Sequence, residues 1–267
     1  MILASASPTV VTLSAAAAVA YGIPALGAAR LGQRSAAMLA MLAWLLHAAI
    51  LTLALFVEPA RFGFAPALSV TAWLVVTVYA IEHYVYPQLE TRWSWCLIGS
   101  AAVLLALVYP GARLHPSASA WLPLHWALGI ASYGLFAVAV AHAVAMSRAE
   151  QRIRLAADSP GGMPLLTMER LTFRFVTAGF ILLSATLVAG AVFSELLYGT
   201  GATWRWNHKT VFSVLSWAAF ATLLAGRARF GWRGRRAVQI LYTGAAMLLL
   251  AYVGSRFVLE IILGRSA

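Results

Sequence analysis

Apolar runs long enough to cross a membrane make up most of the chain, and the polar residues are confined to short stretches between them. Because a helix needs about 20 largely apolar residues to span a bilayer, eight such runs predict eight membrane helices. Arg, Gly and Pro mark their ends. The predicted spans are 9–29, 36–57, 64–83, 94–111, 121–147, 172–197, 209–226 and 236–263. The predicted fold class is therefore an all-α integral membrane protein, a polytopic bundle with a single domain over 1–267.

The composition excludes a separate soluble domain. Of the 267 residues, 62% are hydrophobic and 10% are charged, whereas a soluble domain carries about 25% charged residues. The single cysteine, Cys96, excludes an intramolecular disulfide. The sequence also lacks a CxxCH motif, so the chain is not itself a c-type cytochrome.

The distribution of basic residues predicts the orientation. Lys and Arg number 19 against 8 Asp and Glu, a net charge of +11. On a soluble protein this excess would suggest nucleic acid. Here most arginines fall in alternate connections, as the positive-inside rule requires. We therefore expect both termini outside and no nucleic-acid partner. The connection at about 148–171 is then cytoplasmic, and a Trp-rich loop at about 198–208 is outer. No Lys or Arg precedes Arg30, so the first span is expected to be a retained helix and not a signal peptide.

His47 lies near the middle of the second predicted span. An ionisable group at that depth is costly and needs a partner. Two interpretations are equally open: a packing histidine with satisfied hydrogen bonds, or a contact to a cofactor or ligand.

His125 and His208 lie near the outer starts of the fifth and seventh spans, which run in the same direction. Two imidazoles from different helices at one membrane face could ligate a haem iron axially. Alternatively, the histidines are the polar members of an ordinary interfacial aromatic belt, which composition alone favours. That belt would consist of Trp121, Trp126, Trp204 and Trp206.

The other polar residues have simpler interpretations. His83, His115 and His142 are expected to be solvated near helix ends or in a loop. Arg256 and Glu260 lie four residues apart on one helical face, which indicates an ion pair, a propionate contact or an ion path. The Arg227–Arg236 stretch either sets the topology or binds anionic lipid.

Several segments together resemble the cytochrome c assembly protein family, which includes CcsA, CcmC and the HemX-like proteins. The resemblance is carried by the outer segment that begins Trp204-Arg205-Trp206-Asn207-His208-Lys209 and by the helix that follows, through Gly234. It is densest from 204 to 260. The Leu46-His47-Ala48 segment, the segment from His125 to Tyr133 and the tail from Ala251 to Glu260 resemble the HemX-like YpjD inner membrane subgroup. The similarity covers most of the chain from about residue 40 onward.

The resemblance implies a multi-pass protein of the bacterial inner membrane that binds or presents haem, of b type, for cytochrome c maturation. By position, Trp204 and Trp206 would belong to the porphyrin platform, His125 would be the flanking ligand, and His47 the histidine within the membrane. His208 belongs to the subgroup's own pattern. The segment departs from the family at Asn207-His208-Lys209-Thr210, where the family has Asp-Pro-Lys-Glu and only Lys209 is kept. His208 would then replace the missing second iron ligand, with Lys209 and Arg256 as further contacts to haem.

Two other functions are compatible with the sequence. One is a transporter or metal-tolerance protein with a polar path through His47, Arg256 and Glu260. The other is a regulatory membrane protein of tetrapyrrole synthesis that acts through the cytoplasmic connections. Nothing resembles a hydrolytic triad, so any catalysis would belong to a complex with other cytochrome c maturation proteins.

Overall fold

The predicted bundle of eight helices is confirmed. The computed structural model describes residues 7–56, 61–85, 93–113, 122–154, 165–194, 206–258 and 261. Within these residues the α-helices are α1 Pro8–Leu31, α2 Gln33–Phe56, α3 Phe64–Val85, α4 Cys96–Val108, α5 Leu122–Arg154, α6 Leu165–Val192, α7 His208–Phe230 and α8 Gly234–Leu249. A π-helical turn, Leu250–Gly254, and a short helical turn, Ser255–Phe257, continue α8.

Seven of the described helices are long and apolar enough to cross a membrane. The exception is α4, which has 13 residues and is shorter than the predicted span 94–111. A 3-10 turn, Trp93–Trp95, precedes it. Beyond its end, Gly111 adopts a positive φ of 78°, a conformation that ends regular helix. Two two-residue strands, β1 Arg61–Phe62 and β2 Ala112–Arg113, pair antiparallel nearby.

Helices α5 and α6 are longer than predicted, with 33 and 28 residues. They continue through 148–154 and 165–171, which the sequence placed in the cytoplasmic connection. These segments are rich in Arg, Glu, Leu and Met, which are good helix formers even outside the bilayer. The remainder of that connection, 155–164, and most of the outer loop, 195–205, lie outside the described residues.

The chain divides into two compact units. Unit 1 comprises residues 1–115 with 256–267, and unit 2 comprises residues 116–255. In unit 1, α1 and α3 each pack against α2 and α4, and in unit 2, α5 and α7 each pack against α6 and α8. Each unit is therefore a closed ring of four helices. The predicted single domain over 1–267 stays a prediction.

A pair of stacked aromatic rings lies at the centre of unit 2. Phe136 of α5 and Phe220 of α7 are both buried, and their ring centroids are 3.7 Å apart at an interplanar angle of 5°. Glycines of the neighbouring helices leave room for the rings. A Cβ on Gly244 would lie 2.8 Å from Phe220, and one on Gly179 would lie 3.1 Å from Phe136. Small residues at such crossings let membrane helices approach closely.

Candidate functional site

The start of α7 is fixed by an asparagine cap. The Asn207 side-chain oxygen accepts hydrogen bonds from the Thr210 backbone N–H at 3.0 Å and from the Thr210 hydroxyl at 3.2 Å. Such a cap satisfies amide groups that have no partner inside the helix. It makes His208 the first residue of α7, with Trp206 two residues before it. The His208 side chain is exposed, and that of Trp206 is 70% exposed.

His125 lies at the same depth as His208. The Phe136–Phe220 stack aligns α5 with α7, which run parallel because consecutive spans alternate in direction. His125 is 11 residues before Phe136, and His208 is 12 residues before Phe220. At a rise of about 1.5 Å per residue, their depths differ by only about 1.5 Å. Both histidines therefore lie at one end of unit 2, the predicted outer end, where His125 is half-buried.

Two tyrosines link neighbouring helices of unit 2: Tyr252 lies beside the start of α7, and Tyr133 lies deeper, three residues before Phe136. The Lys209 ammonium lies 5.9 Å from the centre of the Tyr252 ring, so the start of α7 meets the end of α8. Tyr252 belongs to the π-helical turn Leu250–Gly254, a distortion that is frequent at functional sites. One turn earlier, the Tyr133 hydroxyl of α5 donates a 2.6 Å hydrogen bond to the Leu248 carbonyl oxygen. Both tyrosines lie in segments that carry the family resemblance, but sequence reasoning assigned them no role.

His47 is completely buried in unit 1 and connects three helices. Its Nε2 lies 2.8 Å from the Ser69 hydroxyl of α3, and its Nδ1 lies 3.5 Å from the Tyr21 hydroxyl of α1. A Cβ on Gly99 would lie 2.8 Å from the Tyr21 ring, so the tyrosine is tightly enclosed. In this arrangement a hydroxyl faces each ring nitrogen. Ligation of a metal by His47 would require it to release one of them.

Neither hydroxyl partner of His47 was identified from the sequence. A signal for Tyr21 exists, because it is an aromatic residue with a polar group in the alanine-rich α1. Ser69 has no such signal, since serine is common in membrane helices and usually bonds its own backbone.

The remaining predicted residues are placed as follows. Trp204, Glu260 and His115 lie outside the described residues, and only the backbone of Arg256 is described. His142 is half-buried, with its ring 5.5 Å from that of Phe175, so the expectation that it is solvated is wrong. The reason is that α5 continues for twelve residues beyond it. His83 is also half-buried. Among the described residues, no three His, Cys, Asp or Glu side chains form a group that could hold a metal ion.

The sequence profile of the cytochrome C assembly protein family matches residues 34–263, from the start of α2 to beyond α8. The chain belongs to the cytochrome c assembly protein family. An uncharacterized 28.8 kDa protein of Azospirillum brasilense is 30% identical over 210 residues, which cover 74% of this chain and 76% of that protein. The inner membrane protein YpjD of Escherichia coli K12 is 29% identical over 191 residues, 70% of each chain. No solved structure matches.

The similarity to named cytochrome c biogenesis proteins is more local. A cytochrome c biogenesis protein CcsA of Prochlorococcus marinus is 34% identical over 90 residues, which cover 34% of this chain and 28% of that protein. The family, the fold class and a multi-pass location in the bacterial inner membrane are thus confirmed. The assignment to the HemX-like proteins stays a prediction.

Proposed function

We propose that this protein binds haem at the predicted outer end of unit 2 and presents it for cytochrome c maturation. Membership of the cytochrome c assembly family supports the general role. The observation that carries the location is the equal depth of His125 and His208 on the parallel helices α5 and α7. Imidazole nitrogens are the common protein ligands of haem iron.

The side chains at this end fit a porphyrin. Trp206 leaves 70% of its surface uncovered by the bundle, and a flat apolar macrocycle can pack on an exposed indole ring. Lys209 adds a cation in the first turn of α7, where a haem propionate could pair with it. Trp204 is proposed as a further contact because of its position in the sequence. Arg256 belongs to unit 1, and its contact with haem stays a prediction.

The assigned roles divide between ligands and supports. His125 and His208 would hold the iron of a b-type haem, and two imidazoles would give a low-spin iron. Bound haem would supply the group that is attached to apocytochrome in maturation. This chain's own residues would hold the haem and keep it accessible at the membrane surface. Other cytochrome c maturation proteins are the proposed partners, and attachment would take place in a complex with them.

His47 has a proposed role apart from this site. Its hydroxyl partners on α1 and α3 favour the packing interpretation over direct contact with a cofactor. The polar path of a transporter would need His47 together with Arg256 and Glu260. Only His47 of these three has a described side chain, and its nitrogens already face hydroxyls. No observation favours the transporter or the regulatory function over haem handling.

The test is the haem content and absorbance spectrum of the full-length protein, purified in detergent from haem-replete cells. Wild-type protein should give a pyridine haemochrome and sharp low-spin bands. His125→Ala and His208→Ala should each lose or shift these bands. His142→Ala is the matched control, because it removes a half-buried histidine from the same helix about 25 Å from His125.

Three outcomes are decisive. Wild-type protein without haem contradicts the proposal as a whole. Unchanged bands in both ligand variants contradict the assignment of His125 and His208. Loss of the bands in His142→Ala to the same extent indicates general unfolding, and the ligand assignment is then rejected too.

A further inference from the structure

The turn between α7 and α8, at the predicted inner end of unit 2, concentrates positive charge. Residues 227–236, here called the basic turn, contain five arginines. One carboxylate serves two of them: Glu169 of α6 forms ion pairs with Arg227 and with Arg233 at 3.4 Å. The Arg227 guanidinium also lies 3.6 Å from the centre of the Phe173 ring. These contacts hold Arg227 to the bundle.

Trp232 gives the basic turn a defined shape. Gly231 caps α7 in the left-handed conformation, with φ 63°, and the Trp232 N–H then donates to the Gly226 carbonyl oxygen at 3.3 Å. The indole lies directly on Gly226, where any Cβ would overlap it. It also stacks on the Phe230 ring at 6.1 Å. The turn is therefore built around a fixed aromatic pair.

Three arginines of the basic turn are exposed to solvent or lipid and can bind an anion. Arg229, Arg235 and Arg236 are exposed, and among the described residues none of them contacts a carboxylate. Arg236 is positioned by the aromatic pair, because its guanidinium lies 4.6 Å from the centre of the Trp232 ring. A cation held by an aromatic face keeps its full charge. Beside these cations Phe230 is 73% exposed.

We propose that the basic turn binds the headgroup of an anionic phospholipid of the inner leaflet. Planar guanidinium groups bind phosphate oxygens in pairs, and Arg235 and Arg236 are adjacent exposed examples. The turn joins two membrane-spanning helices, which places it at the level of lipid headgroups. Phe230 faces outward at this level, where an aromatic ring packs against acyl chains. Charge and an exposed apolar ring in one turn favour a lipid over free phosphate.

The test is lipid retention in native mass spectrometry of the full-length protein in detergent. Phosphatidylglycerol or phosphatidylcholine is added at equal concentration. Wild-type protein should retain phosphatidylglycerol in preference. The Arg235→Gln/Arg236→Gln variant should retain at least about fivefold less. The matched control is Arg30→Gln/Arg34→Gln, which removes two exposed arginines from the end of α1 and the start of α2 on the same predicted side.

A charge-conserving variant covers the case in which loss of charge disturbs insertion. Arg235→Lys/Arg236→Lys keeps the positive charges that set the topology but loses paired phosphate contacts. Its retention of phosphatidylglycerol should therefore fall between that of wild-type protein and that of the glutamine variant. Retention equal to wild type in the lysine variant contradicts the proposed contact. Equal retention of both lipids by wild-type protein, or equal losses in the glutamine variant and its control, overturns the proposal. Displacement of phosphatidylglycerol by millimolar inorganic phosphate indicates an anion site without lipid specificity and also overturns it.

Discussion

The Tyr133 hydroxyl donates a 2.6 Å hydrogen bond to the Leu248 carbonyl oxygen, two residues before α8 changes to π-helical geometry. The bond joins α5 to α8 across unit 2. The π-helical turn beyond it carries Tyr252, whose ring lies beside Lys209. This bond links α5, which bears the proposed iron ligand His125, to the π-helical turn of Tyr252. Tyr252 in turn lies beside Lys209, the residue after the second proposed ligand, His208.

Tyr133→Phe should destabilise the protein by about 0.5–1.5 kcal/mol, because a buried carbonyl loses its donor. If the proposed function holds, it should also lower the haem content without moving the absorbance bands. Thermal unfolding followed by circular dichroism, together with the pyridine haemochrome, measures both effects. Tyr84→Phe is the control, since Tyr84 is 86% exposed on α3. Equal stability of the two variants would show that the Leu248 bond contributes nothing.

Ser69→Ala should destabilise unit 1 by about 1 kcal/mol, because the completely buried His47 Nε2 loses its hydrogen-bond partner. The matched control is Thr71→Ala on the same helix. The Thr71 hydroxyl bonds only the Ala67 carbonyl of its own helix among the described contacts, so its loss should cost little. Thermal unfolding in detergent, without a chemical denaturant, compares the stability of the two variants. A larger loss of stability in Thr71→Ala than in Ser69→Ala would contradict a stabilising role for the hydrogen bond between Ser69 and His47.

Gly244→Ala should destabilise unit 2 by about 1–3 kcal/mol, because the new methyl group would press on the Phe220 ring at 2.8 Å. Gly129→Ala is the matched control, since its Cβ would meet Thr186 at an ordinary 3.6 Å. Alanine is the better helix former, so this control should be neutral or stabilising. The midpoints of thermal unfolding measure the difference. Equal midpoints would mean that the stacked rings can move apart freely.

Lys209→Gln should lower the haem affinity several-fold while leaving the absorbance bands in place, since a propionate contact holds the haem without ligating its iron. Lys209→Arg keeps the cation and should restore most of the affinity. Haem titration of the apoprotein measures both. This prediction depends on the proposed function. A shift of the bands in Lys209→Gln would instead indicate that Lys209 influences the iron ligands directly.

The sequence predicts the helices well because apolar length is a local property. All eight predicted spans overlap described helices. The errors fall at their ends, where α5 and α6 extend beyond the predicted spans through residues that favour helix in water as well. The prediction for α4 is too long at both ends, because the apolar run 94–111 includes part of the 3-10 turn before Cys96 and the residues between Val108 and the turn at Gly111.

The contacts between helices could not be predicted in the same way. Ser69 and Tyr21 are brought to His47 from separate helices. Tyr21 stands out in the alanine-rich α1, but its sequence context does not say which residue it contacts, and Ser69 carries no signal at all. The sequence predicts only that His125 and His208 lie near the same membrane face. That they lie at equal depth follows from the Phe136–Phe220 stack, which shows how α5 and α7 are aligned along their axes. The sequence also does not show which arginines of the basic turn are paired, because their carboxylate partner, Glu169, comes from α6.

The ion pairs of Glu169 also bear on the order in which the protein assembles. Glu169 and Arg227 are 58 residues apart and belong to different helices, so their ion pair forms only once α6 and α7 lie side by side. In the predicted orientation, Arg227 and Arg233 count as positive charges of an inner connection before they are paired, because acidic residues contribute little to the positive-inside rule. The same two side chains would then first help to set the topology of the chain and afterwards link α6 to the basic turn.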